Sequence, residues 1–177
     1  DNGYISLIRC RCMERDEILS RMDAEMRPHI DDVMQMYEAP FARFLGLEIV
    51  SISANRVECS MEVAPELMNS MGRGHGGAVY SLMDHTFAIA CNIGRRCTGQ
   101  SSVTTYYRPA KGEIRAVCVP INRSRSLETY DVRAYSEEGK LVASAQCTAF
   151  VLGRDRFGRK TLPILRRARA EQQHHLS

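Results

Sequence analysis

Asp84 is the residue in this 177-residue chain whose placement most needs a reason. It lies within Gly76 to Ile93, a stretch with no Lys, Arg or Glu, in an environment otherwise built for burial, where an unpaired carboxylate is costly. A structural role would have it accept hydrogen bonds from a neighbouring loop. A chemical role would hold it in a partly dry cleft, its pKa tuned for work as a base or a nucleophile. At helical spacing Gly77, Ser81, Asp84 and Ala88 share one stripe, small and polar where the rest is bulky, which makes a groove for a ligand. Gly76 and Gly77 open the helix, where N–H groups lack intrahelical partners and the dipole is positive. Glycine permits close backbone approach, so a carbonyl oxygen gaining negative charge would be stabilised there, as in an oxyanion hole. His75, just before, either caps the helix or touches the ligand.

Gly76 and Asp84 are eight residues apart, roughly 12 Å of helix rise at 1.5 Å per residue. An N–H and a carboxylate so separated on one helix cannot both touch the same reacting carbon. If both serve one reaction, the partner group comes from an antiparallel copy of the helix in a second subunit, so the chemical reading predicts a two-fold dimer with two equivalent sites. The Gly72-to-Gly77 run is not a phosphate loop. It lacks the Gly-Lys-Ser/Thr ending, and its spacing is not that of a dinucleotide fingerprint.

The elements that must position these groups follow from periodicity. Met13 to Glu38 carries apolar residues at helical spacing, with Pro28 dividing it into two pieces and Pro40 closing it. Leu45 to Ser53 is strand-like. Arg56 to Val63 alternates strictly, with Val57, Cys59, Met61 and Val63 on one face, as in a half-buried strand. The helix from Gly76 to Ile93 is apolar nearly all round and must be covered on most sides. Four strands follow: Ser101 to Tyr107, Glu113 to Asn122, Leu127 to Tyr135 and Leu141 to Leu152, the last two joined by a hairpin signal at Glu137-Glu138-Gly139-Lys140. The fold class is α+β: a curled antiparallel sheet wrapped around one long apolar helix. Residues 1–39 read as an N-terminal helical extension, 40–152 as the domain and 153–177 as a basic tail.

Composition narrows the function classes. With 44% hydrophobic and 25% charged residues the chain is an ordinary globular one. Its net charge of +3 comes from the tail, since from Gly153 onward seven Lys/Arg face two Asp/Glu, which leaves the body at −2. Basic residues dispersed in that way form no compact patch, so neither nucleic acid nor membrane is an expected partner. The seven Cys are odd in number and several sit in apolar runs, which favours a reducing cytoplasm over a disulfide framework. No metal site is expected, because Cys10-x-Cys12 lacks a knuckle's spacer and no second pair completes it. Asp1 to Arg11 has no secretory h-region.

Asn69-x-x-Gly72-x-x-His75-Gly76-Gly77, followed by Asp84, resembles the signature of the hot-dog-fold acyl-CoA thioesterases, specifically their phenylacetate-degradation branch. Pro40 to Glu48, Tyr107 to Gly112 and Gly139 to Ala143 are similar to that branch as well, so the likeness runs from about Pro40 to Leu152. The resemblance implies a hot-dog fold and hydrolysis of an acyl-CoA to free acid and CoA. In that family's terms Asp84 is base or nucleophile, and Gly76 of the opposite subunit polarises the thioester carbonyl. Asn69 positions the carbonyl or the water, and His75 holds the Gly-Gly turn. A hydroxyl from Ser101, Ser102 or Thr104 would help hold the water. No cofactor or metal is implied; homodimers, themselves often paired into tetramers, are. Leu67 stands where the branch often has His, and His85 where a small hydroxyl is usual.

The phosphates of CoA call for cations at the cleft mouth. Arg123 and Arg125, in one turn, are the candidates, with Arg108 and Lys111 nearby; Gly77, Ser81, Ser101 and Ser102 complete the expected substrate contacts. Two rival readings are a non-catalytic acyl-CoA-binding module, in which Asp84 has no chemical task, and an enoyl-CoA hydratase, which would need Asp and His to cooperate although adjacent Asp84 and His85 point to different faces.

Overall fold

The strict alternation of Arg56 to Val63 produces a strand, and the sheet grows on both sides of it. A computed structural model describes residues 12–154; the segment Asp1 to Arg11 and nearly all of the basic tail lie outside the described residues. The helices are α1 (Arg15–Ser20), α2 (Ile30–Tyr37), α3 (Pro40–Leu45) and α4 (Gly76–Asn92). The strands are β1 (Glu48–Ser53), β2 (Arg56–Glu62), β3 (Arg95–Tyr106), β4 (Glu113–Arg123), β5 (Leu127–Ser136) and β6 (Leu141–Arg154). All neighbours in the six-stranded sheet are antiparallel, in the order β1-β2-β4-β5-β6-β3. The sheet curls around α4, which packs against β2 through β6.

Side-chain size explains how the helix fits. The inner face of β6 is built from Ala143, Ala145, Cys147 and Ala149, and that of β4 from Ile114, Ala116 and Cys118, all buried. These short side chains leave room for the bulky inner side of α4, Leu82, Met83, Phe87 and Ile89. Phe87 meets Tyr130 of β5 edge-on at 5.4 Å. Cys59, Cys91, Cys118 and Cys147 are buried in this core as small hydrophobes.

The segment ahead of β1 has its two helical pieces on either side of Pro28 and departs from expectation at Pro40. Pro28 lies inside a 3-10 turn (Arg27–His29) that leads directly into α2. Pro40 closes nothing; it opens α3, at a position where its missing N–H would have been unpaired in any residue. Gly46, left-handed at φ 67°, ends α3 and delays β1 to Glu48. Ile18, Met22, Ile30, Val33 and Tyr37 of this segment are buried in the same core as the sheet. The outer edge of β1 is covered as well: the Ile52 N–H donates to the Arg21 carbonyl and the Asp23 N–H to the Ile52 carbonyl, both at 2.9 Å. At the other edge of the sheet β3 pairs, among the described residues, only with β6.

β3 also starts earlier than periodicity predicts. Gly94 turns the chain at φ 69° straight from α4 into the strand, and its N–H donates to Asp32 Oδ2 at 3.2 Å. Bulges at Arg96/Cys97 and Gly99/Ser101 then break the period of two, which is why no alternation marks residues 95–100. Close to that end of α4 the fully buried Glu128 accepts from the Tyr130 hydroxyl at 2.5 Å and pairs with Arg95.

Candidate active site

The loop entering α4 is organised by side chains that bond to backbone. Asn69 Oδ1 accepts the N–H groups of Met71 at 2.9 Å and Arg73 at 3.3 Å, while its own N–H donates to the Arg73 carbonyl at 2.7 Å. Its Nδ2 has no partner among the described residues and stays available as a donor. Gly74 donates to the Ala110 carbonyl at 2.9 Å, and a Cβ on it would stand 2.9 Å from that of Ala110, so only glycine lets the two loops meet.

His75 is the N-cap of α4. Its Nδ1 accepts the Gly77 N–H at 2.9 Å, which makes that nitrogen the unprotonated one, and its carbonyl takes the N–H groups of Ala78 and Val79. Of the two readings left open for His75, this geometry is the capping one. The consequence is selective: three of the first four N–H groups of the helix are satisfied, and that of Gly76 has no partner among the described residues. The Gly76 carbonyl is fixed by the Tyr106 hydroxyl at 3.0 Å.

From Gly77 the open stripe runs through Ser81 and Asp84 to Ala88, on the side of α4 away from the sheet. Ser81 Oγ donates to the Gly77 carbonyl at 2.8 Å. Asp84 is exposed in the single chain rather than enclosed, because the sheet covers α4 on one side only. Protein still crowds its carboxyl on the remaining sides, and this loss of water raises its pKa above the ordinary carboxylate value, offset in part by the Tyr80 hydroxyl. His85 turns the other way. Burial pushes its imidazole down to about 4, and its Nε2 has no partner among the described residues.

Among the hydroxyls of β3, Ser102 and Thr104 lie on the face toward α4, opposite the buried Cys147 and Ala145. Ser101 lies on the outer face, 2.9 Å from Thr148 Oγ1. Ser102 Oγ is 3.4 Å from Cys147 Sγ, and the Tyr80 hydroxyl reaches toward both Ser102 and Asp84. Tyr80 is not among the expected site residues. Its only signal in the sequence is its place one helical turn before Asp84. In Tyr80→Phe the carboxylate loses a donor that favours its charged form, so Asp84 is expected to titrate at higher pH than in wild type. Carbon-detected NMR of the Asp84 carboxyl checks this, and an unshifted titration would show that the contact carries no weight.

Arg123 and Arg125 are not brought to the Gly76 end of their own chain. Arg123 donates to the Ala54 carbonyl at 3.1 Å, stacks over Tyr130, and lines a small cavity with Ala90 and Ile93. Ala90 is fourteen residues beyond Gly76, roughly 21 Å along the helix. Arg125 is exposed in the β4–β5 turn beside it. Arg73, three residues before Gly76, shares a cleft with Arg108, Lys111 and Lys140.

Comparison with known proteins agrees with this architecture. Residues 30–151 match the family model described as a domain of unknown function, DUF4442. The acyl-coenzyme A thioesterase PaaI of Escherichia coli strain K12 is 28% identical over 105 residues, which cover 58% of this chain and 75% of that protein. The structure of the E. coli PaaI protein from the phenylacetic acid degradation operon matches with a TM-score of 0.67 at 25% identity, over 70% of this chain and 93% of that one. The crystal structure of a Thermus thermophilus protein, TT0310, matches with a TM-score of 0.61 at 35% identity, over 64% of this chain and 97% of that one. With a six-stranded antiparallel sheet curled around one helix, and with these relatives, the chain belongs to the hot-dog-fold thioesterase family, its residues 30–151 forming a DUF4442 domain.

Proposed function

We propose that this protein hydrolyses acyl-CoA thioesters to a free acid and CoA, at sites shared between two copies of the chain. The observation that carries the reading is the presence on α4 of one N–H without a partner among the described residues, at Gly76, and, eight residues on, of one carboxylate of raised pKa, Asp84. Their separation along the helix demands an antiparallel second copy. The edge of β3 supplies the means: eleven of its twelve residues pair with β6, and among the described residues no strand lies on its other side, with Val103 70% and Tyr106 51% exposed. An uncovered edge of that length is an invitation to pair with another strand, and pairing there brings the uncovered stripe of each α4 toward the other.

In such a site the thioester carbonyl oxygen points at the Gly76 N–H of one subunit, with Asn69 Nδ2 as a second donor. Asp84 of the other subunit acts on the carbonyl carbon, either by taking a proton from a water that attacks it or by attacking directly. The negative charge that collects on oxygen is met by the N–H and the positive helix end. When the tetrahedral centre collapses, the C–S bond breaks and CoA leaves as its thiol. In the water route the sulfur takes the proton that Asp84 removed from water. In the direct route the acyl group stays on Asp84 as an anhydride until a water cleaves it, giving the free acid, restoring the carboxylate and supplying the proton to the thiolate. His75 contributes by occupying the Gly77 N–H, so that the donor presented is the one at Gly76. Ser102, on the inner face and in reach of Tyr80, is the hydroxyl of β3 that suits the water; Ser101 faces away.

The hydratase reading requires Asp84 and His85 to act together, and the two make no contact: one faces solvent, the other is largely buried and neutral. A binding-only module would leave a carboxylate of raised pKa without a task. Thiol release from a panel of aliphatic and aromatic acyl-CoA esters tests the proposal. Turnover of at least one ester is expected, and tight binding of acyl-CoA with no turnover of any would establish the binding module instead.

A further inference from the structure

We infer that Cys91 and Cys97 form a reversible oxidation site, at which a hydroperoxide converts two neighbouring thiols into a disulfide that ties the end of α4 to the edge strand β3. The inference stands apart from the thioesterase reading, since neither cysteine takes part in the reaction proposed for Asp84 and Gly76. Cys91 lies in the last turn of α4 and Cys97 near the start of β3, six positions on. Both are free thiols, Cys91 buried and Cys97 half-buried.

The turn between them is built so that the two thiols meet. Gly94, left-handed at φ 69°, takes the chain from the helix straight into the strand. Asn92 bridges the two cysteines: its Oδ1 accepts the Cys97 N–H at 2.8 Å, and its Nδ2 donates to Cys91 Sγ at 3.3 Å. The same Nδ2 donates to the Ala88 carbonyl at 3.0 Å, which fixes the amide against the helix. A bulge at Arg96/Cys97 resets the facing of the strand at this point. Cys97 packs against the core, and its thiol is hydrogen-bonded to that of Cys91.

Their surroundings give the two thiols different tasks. The hydrogen bond from Cys91 lowers the pKa of Cys97, and the charges of Arg95 and Arg123 help it against burial and the Glu128 carboxylate. The same bond, together with burial, raises the pKa of Cys91. Burial pushes the Cys59 thiol up to about 12 and raises those of Cys118 and Cys147 as well. Cys97 is therefore the attacking thiolate and Cys91 the thiol that resolves the product. The Cys97 sulfur attacks the terminal oxygen of the hydroperoxide and the O–O bond breaks. The leaving oxygen takes up the proton that Cys97 had released, and a sulfenic acid remains on Cys97. The Cys91 sulfur then attacks that of Cys97, the S–O bond breaks, and the departing hydroxide takes the Cys91 proton to become water. In sum the two thiols give up two electrons and two protons, and the hydroperoxide is reduced to an alcohol and water. A small thiol reverses the change by exchange, restoring both cysteines.

The test treats the reduced full-length chain with hydrogen peroxide, blocks the remaining thiols by alkylation, and maps the tryptic peptides by mass spectrometry. Arg95 and Arg96 lie between the two cysteines, so trypsin leaves them in separate peptides. The expected product joins those two peptides, in protein that migrates as a single chain without reductant, and it disappears after dithiothreitol. Brief alkylation of untreated protein should modify Cys97 at least about tenfold faster than Cys59, as a lower pKa and greater exposure require. In Cys91→Ser the sulfenic acid has no thiol to resolve it, so dimedone should label Cys97 there and scarcely in wild type. If that variant does not fold, the linked peptide of wild type decides by itself. Peroxide that leaves Cys97 free to be alkylated overturns the inference. So does oxidation of Cys97 without a link, or a link from it to any other cysteine or to a second chain.

Discussion

Asp84→Asn is expected to lower kcat for acyl-CoA by about 10²–10⁴-fold, the range for losing a positioned base, with KM changed little. Asparagine has nearly the same shape as aspartate but cannot take a proton from water or attack a carbonyl. The competing view, that Asp84 is a structural carboxylate, makes a different forecast. Asp84 has no salt bridge among the described residues and is exposed in the single chain, so its amide should cost stability within about 0.5 kcal/mol. A kinetic loss without a stability loss therefore separates chemistry from structure, as measured by thiol release beside urea denaturation. A variant that keeps wild-type turnover would remove Asp84 from the mechanism.

The same residue sets the pH dependence. A base works only when ionised, so kcat/KM should fall as pH drops through the Asp84 pKa. Partial burial raises that pKa, so the acid limb lies at higher pH than for an ordinary carboxylate. Pairing of two chains would cover the stripe and remove more water, moving the limb further in the same direction. The limb should therefore sit higher than Asp84 titrates in any variant held as a monomer.

Much of this was legible in the residues, and the parts that were not have identifiable causes. The alternation in Arg56 to Val63 and the run of α4 without Lys, Arg or Glu were sufficient for a sheet curled on a helix, because each encodes which side is dry. The first six residues of β3 were not legible, since two bulges shift their facing. α3 was hidden because Pro40 stops one helix and starts another equally well. In the site, the roles open to His75 were distinguishable only once its Nδ1 could be seen on the Gly77 N–H. The basic cleft beside the Arg73 loop was hidden for a related reason. Arg123 and Arg125 cluster in sequence, but their turn lies at the far end of α4, whereas Arg73, Arg108, Lys111 and Lys140 come together only through contacts between distant segments. Tertiary adjacency of that kind leaves no local pattern.

Gly76→Pro should lower turnover by about 10²–10³-fold, the cost typical of removing one oxyanion donor. Proline is suited to deleting this N–H alone. Gly76 is the first residue of α4, where proline is well tolerated. His75 before it has φ −59° and ψ 138°, the extended conformation that a following proline requires. A Cβ at Gly76 would stand 3.5 Å from the Tyr106 ring, an ordinary contact, and the carbonyl that Tyr106 holds is retained. Gly76→Ala, which keeps the N–H, is the control and should remain active. The decisive step is to unfold and refold Asp84→Asn with Gly76→Pro in equal amounts. If each site takes its carboxylate and its N–H from different chains, every mixed dimer contains one intact site, and random pairing restores about a quarter of wild-type activity. If both groups come from one chain, no pairing creates an intact site and the mixture stays as inactive as its components. Activity that fails to return, in a mixture shown by sedimentation to contain mixed dimers, would refute the shared site even if each single variant behaves as expected.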